Sequence, residues 1–367
     1  MKPDGFAGIL LDLRKMMITF TIAVIVGYVF LSVHLPAPFL MGSLFGVWIV
    51  GGTFPSLRPH LGVARWFHVP VVLGLGVFIG ANFTTELIEQ ATHWMTTVSI
   101  MIVVTLIVSA LGYGFLRKIR HYDPVMALLC AVPGGQAEAI VMARDMVEKD
   151  YVVALFHLIR VAVVFVSTPL LLAVLEGSAA VATSNARLLT MPGLLDLSFG
   201  QFVSFIGIAM AGYGLARALR LPMPHLLGPM GLSMVFHISG LIFIPRINEF
   251  IMLAQLAIGG GVGARLAQVE FRSLLVYLGD GMITSGIILA AYLMVALGIA
   301  HFTHASFLSI WLAFVPGGLY EVTLLALIFG FDIAFIAFHH TVRVFLIFLT
   351  MPVLATRLNR GDHPRST

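Results

Sequence analysis

Val132-Pro133-Gly134-Gly135-Gln136-Ala137-Glu138 is echoed by Val315-Pro316-Gly317-Gly318-Leu319-Tyr320-Glu321, 183 residues later in a chain of 367. Each stretch sets a helix-breaking Pro-Gly-Gly three residues ahead of a carboxylate, in apolar surroundings. Aligned at that offset without gaps, residues 131–171 and 314–354 share 13 identities in 41 positions. Glu138/Glu321, His157/His340, Arg160/Arg343 and Pro169/Pro352 are among them. Self-similarity at a fixed offset points to a duplicated chain.

The medium follows from composition. The chain is 59% hydrophobic and 10% charged, with a mean hydropathy of +1.02. Soluble domains carry about 25% charge, so the expected solvent is a lipid bilayer. A single cysteine, Cys130, excludes an internal disulfide framework and a cysteine metal site. The net charge of +4 includes no basic block suited to nucleic acid, and no such partner is expected. Lys2, Arg14 and Lys15 precede the first apolar run without a clear cleavage site, which predicts an uncleaved first helix.

Working outward, the first half offers crossings at 16–33, 39–53, 66–83, 94–116 and 151–175, and the second at 199–216, 226–244, 250–264, 274–299 and 333–355. The interrupted segments, 123–147 and 306–331, stand apart from these. A second motif also recurs: Leu35-Pro36-Ala37-Pro38 before Leu40-Met41-Gly42, and Leu221-Pro222-Met223-Pro224 before Leu226-Leu227-Gly228. Residues 1–175 and 199–367 are the two repeats, and the small-residue stretch 176–198 reads as the linker.

Positive charge decides how the interrupted segments run. If they fold back as re-entrant hairpins and the N-terminus is inside, 17 of 21 Lys/Arg lie inside, and only Arg187 and Arg246 lie outside. If each crosses once, the tally falls to 13 inside and 6 outside. The expectation is therefore an all-α polytopic membrane protein. It has two inverted repeats, each of about five transmembrane helices plus a re-entrant Pro-Gly-Gly hairpin, and both termini are cytoplasmic. Inverted repeats with broken helices are a design of secondary transporters.

The candidate site gathers at the breaks. Gly134, Gly135, Gly317 and Gly318 expose backbone donors at half-helix N-termini, which suit an anion. Arg160 and Arg343 lie about ten residues into their helices. They read either as substrate anchors or as ion-pair partners of Glu138 and Glu321. An acid in lipid is costly, so Glu138 and Glu321 are candidates for a coupling ion or a proton, with His157 and His340 as further proton carriers. Asp280, opposite Thr97 in the other repeat, reads as an ion ligand or an interface residue within reach of Tyr277. No metal or cofactor is expected, and the glycine run 259–263 lacks the ending of a nucleotide loop. No catalytic constellation is visible, so the chain is not expected to be an enzyme.

The duplicated Pro-Gly-Gly-x-x-Glu with its downstream arginine, and the paired Leu-Pro-x-Pro openings, resemble the membrane AbrB family over essentially the whole chain. The resemblance implies a multi-pass protein of the bacterial inner membrane with two copies of one domain. Members are described as regulators of gene expression, as ammonia monooxygenases or as transporters. Oxygen chemistry needs clustered His and carboxylate ligands, and the 13 histidines here are scattered. The name is shared with a small soluble DNA-binding regulator whose fold this chain cannot adopt. The leading expectation is a secondary transporter of a small solute, an organic anion, driven by a proton or sodium ion. The alternative is a membrane sensor that affects gene expression indirectly. A homo-oligomer stays open.

Overall fold

The computed structural model describes residues 5–269, 271–303 and 306–362, and among these every regular element is helical. In chain order they are α1 (Gly5–Ser32), α2 (Pro38–Thr53), α3 (Arg65–Gly80), α4 (Thr85–Gly114), α5 (Pro124–Ala131), α6 (Gln136–Met146), α7 (Asp150–Leu175) and α8 (Gly177–Thr190). There follow α9 (Phe199–Ala218), α10 (Pro224–Ile238), α11 (Asn248–Ala267), α12 (Phe271–Thr303), α13 (Phe307–Phe314), α14 (Leu319–Phe329) and α15 (Ile333–Asp362). Seven of them are long and apolar enough to cross a membrane: α1, α4, α7, α9, α11, α12 and α15. Their outward faces carry large apolar side chains such as Ile25, Val103, Ile107, Leu111, Met294 and Leu297. Exposure of that kind belongs against lipid.

Three of the expected crossings form short helices. Helices α2, α3 and α10 have 16, 16 and 15 residues. At 1.5 Å per residue they reach only about 24 Å, against a hydrocarbon core of ~30 Å. Prolines set two of the starts: Pro38 and Pro224 each occupy the first helical turn, after Ala37 and Met223 in the left-handed conformation. The 176–198 stretch, expected as a linker, is largely the helix α8. Its Ser184 hydroxyl and Arg187 guanidinium donate to Ile328 O (3.2 Å) and Phe329 O (3.4 Å) at the end of α14. Small, polar residues were read as a connector there, although the same residues suit a helix that closes over another helix's last carbonyls.

The chain divides into two compact units. One comprises Met1–Thr85, Phe165–Glu270 and Thr323–Ile333. In it, glycines bring helix backbones into contact at matching places. A Cβ on Gly42 of α2 would lie 2.6 Å from Gly27 Cα of α1, and one on Gly228 of α10 would lie 2.2 Å from Gly212 O of α9. Helices α3 and α11 then pack on the partner motif's helix. Gly76 and Gly80 face Leu226 O and Met230 O of α10, whereas Gly259 and Gly263 face Leu40 O and Leu44 O of α2. Small-residue faces of this kind replace the hydrophobic driving force that lipid does not supply between helices.

Such contacts leave nowhere for a side chain to go, because the obstacle is backbone. Gly228→Val is expected to cost at least the ~1–3 kcal/mol of ordinary overpacking. It should lower the yield of monodisperse protein in detergent. Gly231→Ala on the same helix, with nothing within 4 Å of its Cβ, should melt like the parent.

The other unit comprises Glu86–Val164, Phe271–Val322 and Ala334–Thr367. All eight residues of α5 are buried in its core. They pack against Val152, Val153 and Phe156 of α7 and Ile347, Met351 and Ala355 of α15. Both Pro-Gly-Gly stretches and both His-x-x-Arg motifs lie in this unit.

Candidate functional site

Both interrupted helices break for the same reason. A residue before proline is driven out of the α region; Val132 (φ −61°, ψ 125°) and Val315 (φ −53°, ψ 136°) are extended. Each first half-helix also starts alike, with the side chain of Asp123 or Ser306 accepting N–H bonds from its first turn. The breaks are not identical. Gly134 (φ 122°) and Gly135 (φ 60°) adopt positive φ, a requirement only glycine meets without strain. The second break instead turns through a Gly317 N–H to Val315 O bond of 2.9 Å.

A broken helix exposes carbonyls at its C-terminal end and N–H groups at the next N-terminus. The two arginines serve the carbonyls. Arg160, 1% exposed, donates from Nη1 to Val132 O and from Nη2 to Cys130 O, both at 2.6 Å. Arg343, also 1% exposed, donates from Nη1 to Phe314 O (2.7 Å) and from Nη2 to Val315 O (3.0 Å). Cations at helix C-termini are favoured by the helix dipole. The histidines one turn earlier complete the arrangement: the Nε2–H of His157 donates to Leu129 O (3.1 Å), and that of His340 to Leu312 O (2.8 Å). Arg343 Nη2 also donates to His340 Nδ1 at 2.8 Å. Both nitrogens of His340 are therefore engaged in its neutral form, so its first task is to position the arginine.

The glutamates sit at the other side of each break. Glu321 is the third residue of α14, where a Glu characteristically reaches back to the helix's first backbone groups. It is 1% exposed, and its carboxylate lies over Gly318, where a Cβ would come within 1.8 Å of Oε2. Glu138 holds the same third position in α6. Its side chain lies outside the described residues.

The breaks also approach one another's helices. A Cβ on Gly134 would lie 3.0 Å from Ile347 Cδ1 and 3.6 Å from Arg343 Nε, both on α15. A Cβ on Gly317 would lie 3.4 Å from Val164 Cγ1 on α7. Val164 and Ile347 are themselves 183 residues apart, so each break packs on the helix that caps the other. Arg160 caps Val132 O, two residues before the Gly134 that Arg343 Nε approaches, so both guanidinium groups lie at the first break. Tyr292, fully buried, shares a 2.8 Å hydrogen bond with Thr105. Neither arginine makes a salt bridge with a described side chain, so the ion-pair expectation is met for neither within the described residues.

Sequence reasoning placed the arginines at the breaks and missed what they hold. The signal was present: a broken helix needs donors for its last carbonyls, and an arginine lies 28 residues downstream of Val132 and of Val315 alike. Tyr292 was missed outright, being one more aromatic residue in an apolar helix.

Asp280 resolves as an interface residue. Buried, it takes a 2.6 Å ion pair from Arg120 Nε and a 2.9 Å hydrogen bond from Tyr122 Oη. Burial and the adjacent carboxylate push the Tyr122 phenol's pKa up, which keeps it a donor. Tyr277 instead accepts from Lys149 Nζ at 3.1 Å. Asp280→Ala strands two donors, one of them on a half-exposed arginine, and is expected to cost about 2 kcal/mol. A thermal melt in detergent reads this directly, with Tyr122→Phe falling between parent and Asp280→Ala.

Fold and site together define an all-helical protein with seven helices able to cross a membrane and two interrupted helix pairs, each clasped by a buried arginine. The model of the family described as "Transition state regulatory protein AbrB" matches residues 48–359, and the chain belongs to that family. It is 28% identical over 338 residues to a protein of Escherichia coli (strain K12) named "Putative regulator AbrB", covering 92% of this chain and 94% of that one. It is 21% identical over 331 residues to "Uncharacterized protein YhjN" of Bacillus subtilis (strain 168), covering 85% and 86%. No solved structure matches the chain.

Proposed function

We propose that this protein is a secondary transporter of a small organic anion, working by alternating access around its two broken helix pairs. The observation that carries the reading is a pair of buried guanidinium groups that both lie at the first break, with no salt bridge to a described side chain. Dipole carbonyls offset part of such a charge, and an arriving carboxylate offsets the rest. The exchange of partners between the breaks and the capping helices supports an origin by duplication, with the two repeats inverted and each break re-entrant. Non-helical backbone at membrane depth belongs where it lines a cavity or is buried in protein. Glu138 and Glu321 take the coupling proton or sodium ion in this reading, and Arg160 and Arg343 take the substrate with the break glycines. No catalytic step is part of it, and the bacterial inner membrane is its setting.

The regulator name carried by the Escherichia coli relative favours a second reading, a membrane sensor whose ligand state reaches gene expression through a partner. Uptake of labelled carboxylates into proteoliposomes separates the two. Saturable flux that follows an imposed proton or sodium gradient supports transport. Ligand binding without flux sinks transport and leaves the sensor.

A further inference from the structure

We infer a second binding site, in the other unit, at the N-terminus of α2, for a small carboxylate that also carries a hydrogen-bond donor, such as a hydroxy acid or an amino acid. The starting observation is Gln255 of α11. It is fully buried, and neither its Oε1 nor its Nε2 has a partner. A buried amide left unsatisfied is costly, and a native structure that keeps one needs a reason.

The register of α11 on α2 places this amide. Gly259 faces Leu40 O and Gly263 faces Leu44 O, so the two helices advance together in steps of four. One step back brings position 255 towards the start of α2, its mouth, where Ser43 Oγ donates to the Gln255 backbone carbonyl at 3.1 Å. There the N–H groups of Phe39 and Leu40 precede the first helical bond, which runs from Met41 N–H to Ala37 O. Asn185 of α8 reaches the same mouth: its Nδ2 donates to Leu35 O at 3.1 Å, while its buried Oδ1 has no partner.

The matching packing in α3 gives the comparison. Gly76 and Gly80 face Leu226 O and Met230 O, and one step back stands Val72, fully buried and apolar. Valine therefore satisfies this packing position at one mouth, and an amide replaces it at the other. The groups left over at the α2 mouth are backbone N–H and Gln255 Nε2–H donors, a positive helix end, and two amide oxygens. A carboxylate answers the donors and the dipole, and a hydroxyl or ammonium beside it answers the oxygens. A simple cation is disfavoured by the helix end.

The test is thermal stabilisation of the full-length protein in detergent by lactate, alanine and acetate. It compares the parent, Gln255→Leu and Gln255→Glu, repeated in an Arg160→Gln background that disables the site proposed above. Lactate or alanine should stabilise the parent more than acetate does. Gln255→Leu should raise the unliganded melting temperature by removing the orphan amide, and it should abolish the lactate and alanine shifts in the Arg160→Gln background. Gln255→Glu should abolish them too, through like-charge repulsion. Shifts that persist in Gln255→Leu on that background, or no difference between lactate and acetate in the parent, overturn the proposal. Should Arg160→Gln fail to fold, isothermal titration of lactate into the parent and the two Gln255 variants decides, since only the α2 site loses its stoichiometry. A change confined to Arg160→Gln, with both Gln255 variants binding normally, assigns the ligand to the arginine site instead.

Discussion

Arg343→Gln should reduce substrate uptake by about 100-fold and lower the melting temperature more than any other single substitution at the breaks. The stability part follows from what Arg343 holds. Its guanidinium donates to Phe314 O, Val315 O and His340 Nδ1, all in buried surroundings. Charge-assisted bonds of this kind contribute roughly 1.5–3 kcal/mol each, and glutamine can replace one of the three. The uptake part follows from the charge, because removing one member of a buried charged contact with ligand costs about 2–5 kcal/mol. Arg160→Gln should be milder in stability, since Arg160 holds two carbonyls and its Nε–H already lacks a partner. It should be as severe in uptake. Melting curves and initial rates on the same preparations separate the contributions. An Arg160→Gln variant that transports at the parental rate refutes a substrate role for that arginine and leaves it as a helix cap.

The lesson of the arginines is general to this chain. Repetition and composition carried the class of fold, because a 183-residue offset and an apolar bias survive without any knowledge of packing. Helix breaks at Pro133 and Pro316 were legible because proline acts on its own neighbour. What sequence could not convey is which buried group answers which. Type and depth alone did not show that the described bonds of Arg160 run to the carbonyls of Cys130 and Val132. Helix ends show the same limit. The apolar runs at 39–53 and 226–244 do not reveal that α2 begins at Pro38, or that α10 begins at Pro224 and ends at Ile238, before the left-handed Gly240. Gln255 shows the converse limit: one amide in a glycine-rich helix carries no pattern, and its burial becomes evident only in three dimensions.

The glutamates allow a sharper division between structure and function, because a third-position carboxylate has a structural task of its own. Glutamine caps a helix at that position nearly as well as glutamate does. Glu321→Gln should therefore leave the melting temperature close to the parent's, whereas Glu321→Ala should lower it. Coupling is different, since glutamine can neither carry a proton nor neutralise a sodium ion. An inward gradient of about 50-fold in the coupling cation is worth about 2.3 kcal/mol, and it drives roughly 50-fold accumulation of a monovalent anion carried with one cation, with no net charge moved. In Glu321→Gln that accumulation should collapse to about one, while exchange of labelled for unlabelled substrate across the same vesicles continues. Exchange keeps the binding site and the conformational cycle in play, so its survival shows that only the driving step was lost. If Glu321→Gln accumulates solute as the parent does, Glu321 is a helix cap and the coupling ion is bound elsewhere. Glu138, at the same position of the first break, is then the next to substitute, and the double variant shows whether the two share one ion.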